Sequence, residues 1–270
     1  MAKNFLINGD KKKSLSPFDR GLAFGDGAFR TFLVENNKPK QWNAHYRKLA
    51  KDLKSIDIPS PSDKLLLSDI QKLFPEKGIF IAKIIVTRGE STSGYDFKKE
   101  IKPTRILLKI DYDKEKYALF KEGVHLTTSK IRASDTSHAG IKHLNRLENV
   151  LARKGLANKF FDAIMLDAND NICDCARSSL FIRYGKNLFT SSNKRYGIHG
   201  VTKKIIEKNI KKLNLTMNYS PLKLDQLKEA DEVIVTNSIF GALPVLSFKN
   251  IKWNKGKLAN LINKLINESH

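Results

Sequence analysis

Apolar residues recur along this chain with two periods, and the places where the period changes divide it into strands and helices. Asn4 to Asn8 and Phe29 to Glu35 are strand-like runs, and Asn36-Asn37 after the second is a pair suited to a hairpin turn. From His45 to Ile56 the period lengthens: Tyr46, Leu49, Ala50 and Leu53 fall at helical spacing, and Pro59 and Pro61 close the segment. Ile79 to Thr87 is an apolar, β-branched run ending at Arg88-Gly89, and Arg105 to Ile110 is a second core strand, with the polar stretch Glu90 to Pro103 as a loop between them. Charged residues take over from Asp111 to Gly123, which reads as a linker with the boundary near Tyr117. Beyond it come a strand at Val124 to Lys130, a helix following Lys142, a strand at Asp162 to Leu166, a turn at Ala168-Asn169-Asp170-Asn171 and a strand region from Ile172 to Tyr184. Gly200-Val201-Thr202 opens a helix to about Leu213, Val233 to Thr236 is a short buried strand, and Lys257 to Asn267 is a closing helix. The order predicts a mixed α/β (α+β) chain of two domains, residues 1–116 and 117–270, with the second carrying Lys142.

Composition narrows the class. At 270 residues and 41% apolar the chain can bury one large core or two modest ones. No apolar run is long enough to span a bilayer, and Met1 to Asp10 lacks the apolar segment of a secretory signal, so a cytoplasmic protein with no membrane partner is expected. Cys173 and Cys175, the only two cysteines, supply too few ligands for a structural zinc site; they are expected to be reduced and packed, with no metal. The net charge of +21 would suit nucleic acid, yet lysines outnumber arginines 38 to 11 and are scattered, with Lys11-Lys12-Lys13 the only triple run. Nucleic-acid readers draw on arginine and on charge clustered along one face, so none is expected, and a small anionic substrate accounts for the charge equally well.

Chemistry concentrates in a few segments. Lys142 stands just ahead of an amphipathic helix in the stretch Ala139 to Arg153. A lysine whose charge is suppressed by burial or a nearby cation presents a neutral amine that attacks carbonyls and forms Schiff bases; a solvated lysine would look the same in isolation. Strand alternation along Ile172-Cys173-Asp174-Cys175 puts Asp174 opposite both cysteines, either as a hairpin carboxylate in solvent or as an anion facing a cationic ring nitrogen. Val201 and Thr202 begin a helix, where backbone N–H groups and a hydroxyl cradle phosphate or merely cap the end. Thr236-Asn237-Ser238 follows a buried strand, a place where ligand loops sit. The glycine-rich Asp19 to Phe29 precedes a strand, which is the wrong context for a dinucleotide or P-loop motif. In that strand Phe29, Thr31 and Leu33 share one face, which gives Thr31 a pocket-facing hydroxyl, while Arg30 and Phe32 share the other.

In this order the segments resemble the fold-type IV pyridoxal-phosphate enzymes, a family that includes branched-chain and D-amino-acid aminotransferases and aminodeoxychorismate lyases. The resemblance spans nearly the whole chain, and Gly140 to Glu148 and Asn237 to Val245 are most similar to the lyases. It implies an N-terminal α+β sandwich, a C-terminal pseudo-barrel and a homodimer. It also implies that Lys142 holds pyridoxal 5'-phosphate as a Schiff base, that Asp174 pairs with the ring nitrogen, and that Val201, Thr202, Thr236 and Ser238 seat the phosphate with Lys48 and Arg47. Thr31, Arg30, Arg88 and Asn237 are the implied substrate contacts. The implied reaction converts 4-amino-4-deoxychorismate to 4-aminobenzoate and pyruvate. The alternatives are an aminotransferase of the same fold acting on D- or branched-chain amino acids, and a cofactor-free basic binding protein. The chain departs from the family pattern at Asp174, where glutamate is usual, at Lys48 and Ser93, where arginines are usual, and at Ser179, where asparagine is common.

Overall fold

Alternation of buried and half-buried positions from Ala28 to Glu35 is what a strand with one face on a core requires, and it lies within a nine-residue strand. The computed structural model describes residues 4–98, 100–192 and 194–269. Two compact units form: one takes the chain up to Tyr112 together with Ile141–Asn145, the other takes Asp113–Gly140 and the chain from Arg146 onward. The division thus falls at 112/113 instead of 116/117. Lys142, expected in the second domain, belongs to the first unit because its short segment pairs with a strand there.

The first unit contains β1 (Phe5–Ile7), α1 (Arg20–Phe24), β2 (Gly27–Glu35), β3 (Lys38–Pro39), α2 (Trp42–Lys54), α3 (Asp63–Leu73), β4 (Ile79–Thr87) and β5 (Thr104–Asp111). Its strands make an antiparallel sheet in the order β1-β5-β4-β2-β3. Asn36 and Asn37, at φ 48° and 66°, supply the left-handed pair that a two-residue hairpin between β2 and β3 demands. His45, Leu49, Asp52 and Leu53 form the buried stripe of α2, and Leu66, Asp69, Ile70 and Leu73 that of α3. The apolar members pack with Phe32, Val34, Phe74 and Ile84, each contributing roughly 1.5–3 kcal/mol by leaving water. Sequence periodicity did not reveal α3, whose Leu65-Leu66-Leu67 run blurs the helical repeat; the Ser62 hydroxyl caps it by accepting the Leu65 N–H at 3.3 Å. Nor did it reveal α1, which lies inside the glycine-rich segment and is ended by Gly25 in the left-handed conformation, φ 65°.

The second unit contains α4 (Lys114–Phe120), β6 (Val124–Thr128), α5 (Leu147–Arg153), β7 (Asp162–Leu166), β8 (Ile172–Cys175), β9 (Ser179–Tyr184), β10 (Asn187–Phe189), α6 (Val201–Asn209), β11 (Thr216–Asn218), β12 (Glu232–Asn237), β13 (Gly241–Phe248), β14 (Ile251–Lys252) and α7 (Leu258–Glu268). The expected linker is therefore partly helical: Asp113 caps α4 by accepting the Lys116 N–H at 2.9 Å. A curled mixed sheet runs β11-β10-β9-β12-β13-β6-β7-β8, with β14 paired to β13. Leu126, Ile164, Leu180, Val235, Leu243 and Phe248 fill its core. Phe120, Phe161 and Phe240 stack edge to face through it, with centroids 4.8 and 5.2 Å apart. No helix among the described residues is long and apolar enough to cross a membrane.

A bulge in β8 corrects the expected facing of Asp174. Ile164 pairs with Cys175 and Met165 with Asp174, but Leu166 pairs with Ile172, so Cys173 is an extra residue. Cys173 consequently packs with Met165, and so lies on the face of Asp174, while Cys175 joins Ile164 on the other. Simple alternation had placed both cysteines together.

Candidate active site

Lys142 is fixed by its backbone. Its carbonyl accepts the Phe29 N–H at 3.0 Å, the Leu144 N–H donates to the Gly27 carbonyl at 3.0 Å, and His143 bridges Ala28, so the segment lies along the start of β2. Its own N–H donates to Asp52 Oδ2 at 3.0 Å. The Lys142 ammonium sits 4.5 Å from the centroid of the Phe29 ring, and Lys83 Nζ from β4 lies 4.8 Å from the same ring. Burial pulls the Lys83 pKa down. Thr31 is paired across the strands with Lys83, which places its hydroxyl on this same side of the sheet.

Behind β2, on the helix side, is a buried cluster of charge. Asp52, 1% exposed, accepts the Arg30 guanidinium on Oδ2 and the Lys48 ammonium on Oδ1. Burial lowers the Arg30 pKa to about 9, and its Nε has no partner among the described residues. His45, one helical turn before Leu49, lies beside Phe32 at 5.1 Å between centroids, and its Nδ1 also has no partner among the described residues. Burial first, then the charges of Arg30 and Lys142, lower the His45 pKa to about 3, so the ring is neutral. Two cations on one carboxylate leave this cluster net positive, the field an anionic ligand wants.

In the second unit, Val201 and Thr202 are buried at the start of α6, whose N-cap Gly200 offers no side-chain cap. Thr202 Oγ1 and Ser238 Oγ are 3.0 Å apart, and the buried Thr236 hydroxyl has no partner among the described residues. Hydroxyls, helix-start N–H groups and an orphaned donor together suit a phosphate. Asp174 is 7% exposed, and its Oδ1 accepts the Leu180 N–H at 3.0 Å. Its charge reaches the buried Lys203 ammonium, which donates to the Ser191 carbonyl. A cavity of about 360 Å³ is lined by Cys173, Leu180, Thr190, Tyr196 and Tyr219, but by none of the residues expected to carry chemistry.

Several predicted contacts are otherwise engaged. Arg88 is committed elsewhere: it donates to both oxygens of Asp26 and to the carbonyls of Ile56 and Asp57, and it stacks on Phe97 at 3.7 Å. Arg30 faces α2, away from Thr31. Asn237 spends its Oδ1 on the N–H groups of Ile239 and Phe240, which makes it a turn former. Arg47 is exposed on α2, about 100° of helix from Lys48. Ser93 offers its carbonyl to Arg20. Sequence reasoning missed Asp52, His45, Lys83 and Lys203. The first two carried a signal, since a carboxylate and an imidazole at helical spacing on an otherwise apolar stripe call for buried partners.

The family model for class IV amino-transferases matches residues 27–248. An aminodeoxychorismate lyase of Vibrio harveyi is 26% identical over 243 residues, 89% of this chain and 90% of that protein. A D-alanine aminotransferase of Staphylococcus aureus is 26% identical over 274 residues, 98% of this chain and 95% of that one. The crystal structure of 4-amino-4-deoxychorismate lyase from Pseudomonas aeruginosa superposes with a TM-score of 0.88 at 29% identity, covering 96% of this chain and 97% of that one.

Proposed function

The chain belongs to the class IV amino-transferase family, and from that premise we propose that it is a pyridoxal-phosphate lyase that converts 4-amino-4-deoxychorismate to 4-aminobenzoate and pyruvate, a step toward folate. The observation that carries the reading is Lys142, held through its backbone to β2 and α2 with its amine over Phe29. Likeness to the Vibrio and Pseudomonas lyases selects the reaction.

The residues suit the cofactor. Taken by itself, the first unit offers an amine that can condense with an aldehyde and surplus positive charge at Arg30 and Lys48; taken by itself, the second offers the Thr202–Ser238 pair, the Thr236 hydroxyl and the start of α6 to a phosphate, and the Asp174 carboxylate to a cationic ring nitrogen. Bound pyridoxal phosphate supplies an aldehyde that condenses with amines and a ring that draws electrons from the carbon bearing the condensed amine. Lys142, as a free amine beside the bound substrate, would remove the proton from the carbon that bears the substrate's amine. Breaking the C–O bond to the enolpyruvyl group then leaves an aromatic ring, and Lys142 returns a proton to the departing fragment, which becomes pyruvate. Aromatisation drives this step, so the protein chiefly positions groups. Thr31 and Lys83, rather than Arg30 and Arg88, receive the substrate's carboxylates.

The same reading carries a homodimer in the cytoplasm. Phe24, Tyr95 and Phe97 stand exposed around Arg20 and support self-association, to be measured by sedimentation. Cys173 and Cys175 are buried free thiols, suited to a reducing compartment. A second reading, transamination of a D-amino acid, is favoured by the Staphylococcus relative. Borohydride reduction with pyridoxal phosphate, followed by peptide mapping, should place a pyridoxyl group on Lys142. Release of 4-aminobenzoate without a keto acid supports the lyase; turnover only with a keto-acid acceptor assigns the aminotransferase, and an unmodified Lys142 overturns both.

A further inference from the structure

We propose that Asp52 is the positioning residue for Lys142: its carboxylate, held by Arg30 and Lys48, takes the Lys142 N–H and thereby fixes where the reactive amine is presented. The inference rests on the reading of Lys142 as the cofactor lysine, but the contact itself stands without it.

The pairing along β2 shows why a side chain is needed. Phe29 N–H to Lys142 C=O and Leu144 N–H to Gly27 C=O flank the Ala28–His143 bridge. In a continued antiparallel ladder the next bond would run from the Lys142 N–H to the Phe29 carbonyl. It turns instead to Asp52 Oδ2, 90 residues away in sequence, in the last helical turn of α2. The ladder therefore ends at the reactive lysine, and α2 takes over from β2 at that peptide. Sheet pairing alone would allow the segment to slide or fray at its end; a carboxylate on a packed helix does not.

Charge explains why the acceptor is an aspartate. Its two oxygens serve three donors: Arg30 and Lys142 N–H on Oδ2, and Lys48 on Oδ1. A carboxylate is acceptor-only and can satisfy all three, whereas an amide would turn N–H donors toward one of the cations. Arg30 lies on β2 beside Phe29, over whose ring the Lys142 amine rests, and Lys48 lies one turn before Asp52 on α2. Asp52 thus links the strand, the helix and the lysine segment at one point. Burial leaves it no water as a substitute partner, for its side chain is 1% exposed.

The test separates anchoring from charge neutralisation. Asp52→Asn and Asp52→Leu both remove the carboxylate charge that Arg30 and Lys48 share, but only Leu lacks an acceptor for the Lys142 N–H. Amide hydrogen exchange of cofactor-free protein should show the Lys142 amide protected in the wild type; in D52L it should exchange about tenfold faster than in D52N, with the β4 amides alike in both. Pyridoxyl trapping on Lys142 by borohydride should slow about tenfold in D52L relative to D52N, the scale expected when a reacting group is misplaced. Equal exchange and equal trapping in the two variants would leave Asp52 a merely neutralising role and sink the proposal. Should neither variant fold, an unprotected Lys142 amide in the wild type overturns it equally, and a protected one sustains it. Absence of trapping in the wild type with protection intact would instead reject the cofactor reading and leave the anchor standing.

Discussion

His45 shows how a single buried group couples the site to acidity. It is 3% exposed, lies beside Phe32, and is faced by the charges of Arg30 and Lys142, which with burial bring its pKa from 6.5 to about 3. The folded ring stays neutral while the unfolded ring takes up a proton near pH 6.5, so its share of stability is whole above that pH. It is lost as pH falls from 6.5 toward 3, at a slope approaching about 1.4 kcal/mol per pH unit. His45→Phe keeps a ring beside Phe32 and removes the proton site. Urea midpoints at pH 7, 6 and 5 should therefore fall less steeply for H45F than for the wild type; parallel slopes would deny His45 that role. At this scale the sequence singled out Lys142 as a candidate from its own segment, and the family resemblance supplied its proposed role. The partners of Arg30 and Arg88 were not legible: Asp52 and Asp26 lie 22 and 62 residues away, and nothing near either arginine announces a carboxylate that will consume it.

Among the elements, the loop after β4 depends on one side chain. Arg20, at the start of α1, donates to the carbonyls of Ser93, Gly94, Tyr95 and Asp96 at 2.7–3.2 Å and to Asp26 at 2.9 Å. A loop with few apolar contacts of its own is held by these charge-assisted bonds. Arg20→Met keeps the apolar stem and removes every donor, so chymotryptic cleavage at Tyr95 and Phe97 should accelerate about tenfold. Arg20→Lys, with fewer donors, should lie between; unchanged cleavage in R20M would show the loop to be held otherwise. Element-level reading succeeded where the period was clean, as in β2, α2 and β4. It failed where two residues interrupted the signal: Gly241 and Pro244 hid β13, although Pro244 comes one residue before that strand's first pairing with β6 and so costs no bond there. The β8 bulge was equally hidden, since an extra residue in a strand leaves the alternating pattern intact on paper and reverses it in space.

For the whole molecule, the charge of +21 is the property that sequence shows in full and structure distributes. Thirty-eight lysines scattered over both units make a broad positive field rather than a nucleic-acid stripe, and such a field accelerates encounter with small anions. The proposed lyase substrate carries two carboxylates and one amine and is net anionic, whereas a D-amino acid is a zwitterion with no net charge to steer. Screening shortens the field to about 10 Å at 0.1 M salt and about 3 Å at 1 M. For the lyase, kcat/KM should therefore fall severalfold between roughly 0.02 and 0.3 M salt while kcat holds, because encounter weakens and chemistry at Lys142 does not. For a transaminase, kcat/KM for a neutral zwitterionic amino acid should stay nearly flat over the same range. A salt-independent kcat/KM with aminodeoxychorismate would mean that the lysines serve solubility and that Lys83 and its neighbours bind the substrate only after unsteered arrival.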